Sequence, residues 1–118
     1  MKTAAELFGE AKERVTQVTA AETIAKRAAD SSLVLIDVRE DREWNLGHAA
    51  GAVHMSRGTL ESKIDAVVPR AATVVLYCAS GNRSALAAES LTAMGYTSVA
   101  SMAGGFRGWV DADGEVEG

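Results

Sequence analysis

Several residue types are nearly missing from this chain. Of its 118 residues one is cysteine and one is proline, aromatics make up 5%, and 12 Lys and Arg face 16 Asp and Glu. A single thiol forms no internal disulfide and supplies no multi-cysteine metal centre. With only two histidines besides, no metal site is expected. A net charge of -4 builds no basic stripe of the kind that phosphate backbones demand, so nucleic acid is not an expected partner. No run approaches the roughly 20 apolar residues that cross a bilayer, so neither is a membrane. The chain passes from Met1-Lys2-Thr3 straight to Glu6, Glu10, Lys12, Glu13 and Arg14, without the apolar stretch of a signal peptide. The expected setting is the cytoplasm, where a lone thiol stays reduced.

What is present describes one α/β domain. A hydrophobic share of 47% and a charged share of 24% are ordinary for a globular protein, and the length fits one core. Thr3 with Glu6 makes a capping-box pattern that opens an amphipathic helix through Ala4, Leu7, Phe8, Ala11 and Val15. Residues 1–15 are therefore read as a helix lying on the domain, with a short strand over residues 14–18. Thr19 with Glu22 repeats the pattern, and Ala21, Ile24, Ala25 and Ala28 give that helix its apolar face before Asp30-Ser31-Ser32 stops it. Leu33–Ile36 and Val74–Tyr77 are apolar on both faces, as buried parallel strands are.

A short charged helix is expected from Glu40 to Leu46 with Gly47 as its stop, then a brief strand at Ala52–His54. Leu60, Ile64 and Val67 mark an inward helix face ahead of Pro69. An Ala- and Leu-rich helix spans Ser84 to Met94, with Ala87, Leu91 and Met94 toward the sheet. The strand Ser98–Met102, a turn at Gly104-Gly105 and a helical turn from Phe106 to Trp109 follow. Residues 113–118, acidic and Gly-containing, are expected to be a flexible tail, which leaves 16–112 as the domain. Strands alternating with helices imply a mainly parallel sheet.

Chemistry concentrates at Cys78-Ala79-Ser80-Gly81-Asn82-Arg83-Ser84. Cys78 stands at the carboxyl end of a buried strand, where open α/β sheets bind ligands. A helix starts at once, so loop amides and the positive helix end are directed at the sulfur. Gly81 lets the loop curl, and Arg83 adds a permanent positive charge. These features favour the thiolate form of Cys78 and an anion above it. A lone cysteine at a strand end is otherwise often just a small buried residue. Arg83 is expected to clamp the loop, to touch the anion, or both. Arg57 lies on the loop after a brief strand and is a candidate for the same side, or a solvated surface residue. Asp37 and Arg39, at another strand end, are expected to brace loops, with Glu43 a candidate partner for Arg39. His48 is expected to fix a turn, because a thiolate nucleophile needs no base. Trp44 and Trp109 read as packing residues.

These segments together resemble the rhodanese family. Residues 78–84 are similar to its active-site loop. Asp37-Val38-Arg39, Glu43 with Gly47-His48 and Gly51-Ala52, and Gly104-Gly105-Phe106 with Trp109 match its other motifs in order, over residues 18–110. The resemblance implies a three-layer sandwich, a central five-stranded parallel sheet flanked by helices. It implies that Cys78 takes the outer sulfur of thiosulfate or a persulfide donor and passes it to cyanide or a thiol, including a protein thiol, without a cofactor. Ala79, Ser80, Gly81, Asn82, Arg83 and Ser84, with Arg57, would then bind substrate, and Asp37, Arg39, Glu43 and His48 would support them. A non-enzymatic sulfur carrier or regulatory module using the same loop is the alternative. Ala49-Ala50 stands where the family commonly has Ile-Pro, which predicts a looser turn. Four residues separate Cys78 from Arg83. Cysteine-dependent phosphatases and arsenate reductases resemble this fold but keep five, so the shorter loop is expected to suit one sulfur and crowd a phosphate.

Overall fold

A computed structural model describes all 118 residues. Helix α1 (Ala4–Arg14) opens on a complete capping box: the Thr3 hydroxyl accepts the Glu6 amide at 3.1 Å, and the Glu6 carboxylate accepts the Thr3 amide at 3.2 Å. Lys12 and Arg14 sit in its last turn, where cations suit the helix dipole. Strand β1 (Thr16–Val18) follows, and α2 (Ala20–Ala29) opens on the same device with Thr19 and Glu22. Each such cap contributes about 1 kcal/mol. The buried residues of α2 are Ala20 and Thr23, with Ile24 half-buried, whereas Ala21, Ala25 and Ala28 are exposed. The expected face is thus rotated by about one position. An alanine-rich helix this short fits two faces almost equally, and on the buried one Arg27 lies over the Trp109 ring.

The chain continues through β2 (Val34–Asp37), α3 (Asp41–Asn45), β3 (His48–Ala49), β4 (Val53–His54) and α4 (Leu60–Val67). Leu60 and Ile64 are buried as expected, but Val67 is 64% exposed and Val68 is the residue that turns inward. The helix ends at Val67, and the extended Val68 points the other way. Its carbonyl accepts the Tyr96 hydroxyl at 2.6 Å. Strand β5 (Thr73–Tyr77), α5 (Asn82–Ala93), β6 (Ser98–Met102), α6 (Gly105–Asp111) and β7 (Val116–Glu117) complete the chain.

Five strands form one parallel sheet in the order β1-β6-β5-β2-β4. Alternating strand residues serve two cores. Ile36, Val74, Leu76 and Cys78 meet Leu60, Ile64, Ala87, Ala88 and Leu91 on one face. Leu35, Val75, Tyr77 and Met102 meet Ala20 and Trp109 on the other. Helices α4 and α5 thus cover one face, with α1 packed on α5, and α2 and α6 cover the second. This is the three-layer α/β sandwich with five parallel strands. No helix is long and apolar enough to cross a membrane.

Topology positions the site. From β2 the chain winds out to β4, then returns to the opposite flank of β2 as β5 and proceeds to β6. The winding reverses between β2 and β5, and such a reversal opens a crevice at the carboxyl ends of the strands. Asp37–Arg39 and Cys78 lie side by side there, with Val38 N–H donating to the Tyr77 carbonyl at 2.9 Å.

The segment expected to be a flexible tail carries β7 instead. Val116 and Glu117 pair antiparallel with Ala49 and His48. Glu115 accepts the Ala50 amide at 2.9 Å and the Trp109 indole N–H at 2.7 Å. The looser turn predicted from Ala49-Ala50 is tied on both sides, because Ala49 also donates to the Tyr77 hydroxyl at 3.0 Å and Arg27 donates to the Ala50 carbonyl at 2.7 Å.

Candidate active site

Strand β5 delivers Cys78 to the sheet's carboxyl edge, and the chain folds back over it. Gly81 adopts φ 97°, a left-handed conformation that suits glycine, and α5 begins at the next residue. The turn brings the Gly81 amide within 3.1 Å of Cys78 Sγ and the Ser84 amide within 3.4 Å, with the Ser84 hydroxyl at 3.5 Å. Cys78 is 1% exposed and contributes to a hydrophobic core. It is buried among apolar neighbours, yet two main-chain amides reach the sulfur. Burial pushes the thiol up. The Ser84 hydroxyl and the amides of Ser84, Ser80 and Gly81 outweigh it and hold Cys78 below its ordinary value.

Helix α6 supports the loop from behind. Phe106 N–H donates to the Cys78 carbonyl at 2.7 Å. Gly105 has φ 57°, and a Cβ there would stand 2.5 Å from the Ala79 and Cys78 carbonyls, so only glycine lets these two turns touch.

Arg83 projects onto α3. Its two terminal nitrogens donate to the Glu43 oxygens at 2.8 and 3.0 Å, a bidentate pair. Glu43 is thus the partner of Arg83, not of Arg39. The Arg83 hydrogen bonds hold the Glu43 carboxyl down at about 2 against partial burial, aided by the Glu40 amide and the charge of Arg39.

Arg39 is buried and belongs to Asp37. Its Nε and Nη2 donate to the Asp37 carboxylate at 3.0 and 2.8 Å, and Nη2 also donates to the Gly47 carbonyl at 2.7 Å. The Tyr77 hydroxyl donates to Asp37 at 2.6 Å, and the Arg39 guanidinium stacks 4.3 Å from the Phe106 ring centre. Burial raises the Tyr77 phenol, and the hydrogen bond to Asp37 raises it further, so the phenol stays a donor. This buried network ties Asp37, Arg39, Tyr77 and the Gly47 carbonyl together.

His48 also sits in a structural position. Its ring lies flat on Trp44, with centroids 3.4 Å apart, and Nδ1 lies 3.0 Å from the Trp44 carbonyl. His54, which sequence reasoning left out, stacks on Trp44 at 4.8 Å and bonds the Arg39 carbonyl at 2.8 Å. Arg57 is not brought to the sulfur by any bond. It donates to Glu61 at 2.8 Å, and Glu61 also accepts the Ser90 hydroxyl at 2.7 Å. Asn82 starts α5 and Ser80 is exposed. Ser101 is the contact that the sequence concealed, whereas Gly105 belongs to the turn that the sequence marked. Ser101 signalled itself only as one small polar residue inside a buried strand.

The ordered loop, the switch-point position and the Asp37–Arg39 brace converge with one comparison: the model of the rhodanese-like domain matches residues 20–112. The chain belongs to the rhodanese-like family.

A thiosulfate sulfurtransferase, GlpE, from Tolumonas auensis is 36% identical over 78 residues, covering 66% of this chain and 73% of that one. A protein named as a sulfur carrier, YrkF of Bacillus subtilis, is 32% identical over 81 residues, covering 69% of this chain but 43% of that longer protein. A solved structure from Rhodopseudomonas palustris superposes with a TM-score of 0.86 at 36% identity, covering 99% of this chain and 96% of that one. It is described as a protein of unknown function with tyrosine phosphatase as a candidate activity. This rhodanese-like chain shares that fold over 99% of its length.

Proposed function

We propose that this rhodanese-like protein is a sulfurtransferase that carries sulfane sulfur as a Cys78 persulfide. The observation that carries the reading is the pair of main-chain donors on Cys78 Sγ, the Gly81 and Ser84 amides. The Cys78 thiolate attacks the outer sulfur of thiosulfate. A Cys78–sulfur bond forms, the sulfur–sulfur bond of thiosulfate breaks, and sulfite leaves with the electron pair. A cyanide ion or a thiolate then attacks the outer sulfur and returns the Cys78 thiolate. The loop amides from Ala79 to Arg83, with Ser84, receive the negative terminal sulfur of the intermediate, as helix N-termini receive anions.

Arg83 contributes its charge from the Glu43 clamp, and Arg57, paired with Glu61, is a candidate for a second anion contact. Asp37, Arg39, Glu43 and His48 hold the surrounding loops. The partners are a small anionic or persulfide donor and a thiophilic acceptor, including a protein thiol. A reduced lone thiol fits a cytoplasmic setting. The names of the two curated relatives, one a thiosulfate sulfurtransferase and one a sulfur carrier, support sulfur handling.

The test is incubation with thiosulfate followed by mass measurement, then addition of cyanide. The expected result is a gain of one sulfur atom and release of thiocyanate, both absent in Cys78→Ser. A stable persulfide with little thiocyanate would favour the carrier reading. Hydrolysis of a phosphate monoester with no persulfide would overturn sulfur transfer in favour of the phosphatase activity suggested for the Rhodopseudomonas palustris structure.

A further inference from the structure

We propose that Ser101 is a positioning residue for the Cys78 thiolate, acting through the hydroxyl of Ser84. The inference rests on the sulfurtransferase reading only in taking the thiolate as the reacting form.

Ser101 lies in β6, the strand beside β5, and is fully buried. A hydroxyl in such a place costs stability unless it is hydrogen-bonded. The partner is Ser84, whose Oγ stands 2.8 Å from Ser101 Oγ, and Ser84 is itself fully buried. Ser84 Oγ in turn stands 3.5 Å from Cys78 Sγ. Three groups therefore form a short line from the sheet interior to the sulfur.

Each hydroxyl has one proton to donate and lone pairs to accept with. While Cys78 is a neutral thiol, its proton can go to Ser84, whose own proton goes to Ser101. A thiolate has no proton and only accepts. Ser84 must then turn its O–H to the sulfur, and the oxygen it leaves behind is satisfied only if Ser101 donates to it. Ser101 thereby fixes the Ser84 hydroxyl in the orientation that the charged sulfur needs and polarises it in that direction. This matters more because the guanidinium of Arg83 is engaged by Glu43, leaving neutral donors in direct contact with the sulfur.

Cys78 is the only cysteine, so its ionisation can be followed in the full chain by thiolate absorbance and by alkylation rate against pH. Ser101→Ala is expected to raise the midpoint. Below both midpoints this means about threefold to tenfold less thiolate, tenfold being one pH unit. Ser101→Thr keeps a hydroxyl and is expected to restore the wild-type midpoint. Ser101→Val, with the shape of threonine and no hydroxyl, should behave as the alanine variant does. Ser84→Ala should shift the midpoint at least as far, and adding Ser101→Ala to it should shift it no further.

An unchanged midpoint in Ser101→Ala, or an additive shift in the double variant, overturns the proposal. Should the alanine variant not fold, equal midpoints for the Thr and Val variants overturn it equally. None of these readouts uses a sulfur donor. A wild-type protein that gains no sulfur from thiosulfate while these shifts persist would refute the sulfurtransferase reading and leave the Ser101 inference standing.

Discussion

Two opposed effects meet on one sulfur at Cys78. Burial favours the neutral thiol, and the Ser84, Ser80 and Gly81 donors favour the thiolate and prevail. A folded-state value below the unfolded one means that ionisation adds stability above the unfolded value, and that this gain is lost as pH falls through the folded one. The native chain should therefore alkylate with a lower pH midpoint than the same chain in urea. Coincident midpoints would remove the case for an activated thiol.

Glu43 obeys the same sign at lower pH. Its carboxyl ordinarily titrates near 4.5 and is held at about 2 by Arg83. The pair's contribution is full above about 4.5 and disappears as pH falls toward about 2. Both side chains are about 30% exposed, 32% for Arg83 and 27% for Glu43, so solvent screens the pair and its worth is about 1 kcal/mol. Glu43→Gln should lower the urea-unfolding free energy by about that amount at neutral pH. The gap between wild type and variant should close in acid; a gap that persists at the lowest pH would mean the charge is not its source.

At the scale of elements, the contact between the α6 entrance and the thiol loop sets what can change. Gly105 and Gly95 both have positive φ, 57° and 98°, but a Cβ on Gly105 strikes the Ala79 and Cys78 backbone whereas one on Gly95 meets nothing within 4 Å. Gly95→Ala should cost only left-handed backbone strain, about 1–2 kcal/mol. Gly105→Ala adds overpacking of about 1–3 kcal/mol to that strain. It should also move the loop, so its alkylation rate at Cys78 should fall while that of Gly95→Ala stays at the wild-type level. Urea unfolding and thiol kinetics on the two variants separate these effects. Equal rates would show that the loop keeps its shape without α6. The placement of these elements was largely legible beforehand. Two capping boxes, two double-faced apolar runs and the glycines at the helix stops mark their own positions because those signals act within four residues.

On the scale of the whole molecule, the last strand closes a structure that the five-stranded sheet leaves open. β7 pairs with β3, the Glu115 carbonyl accepts the Trp109 indole N–H, and the Gly51 amide donates to Glu117 at 3.0 Å. Truncation after residue 112 removes all of these at once and strips an acceptor from a buried indole. At about 1 kcal/mol for a lost hydrogen bond, and several degrees per kcal/mol in a domain of this size, the melting temperature should drop by about 4 °C or more. Cys78 is bonded to neither β7 nor Glu115, so thiol alkylation at Cys78 should survive below that temperature. An unchanged melting curve would mean that β7 contributes nothing to stability.

By itself the sequence determined the α/β class, the order of the helices and of the main-sheet strands, and the thiol at a strand-to-helix turn. All of these follow from periodicity, caps and glycines read over a few neighbouring residues. Only the tertiary structure decided who meets whom. Arg83 finds Glu43 across 40 positions, Ser84 finds Ser101 across 17, and Gly51 finds Glu117 across 66. A side chain's type states what it can bond, but its partner depends on which strands become neighbours. That is set by packing two cores on one sheet, over distances along the chain where no local pattern carries information.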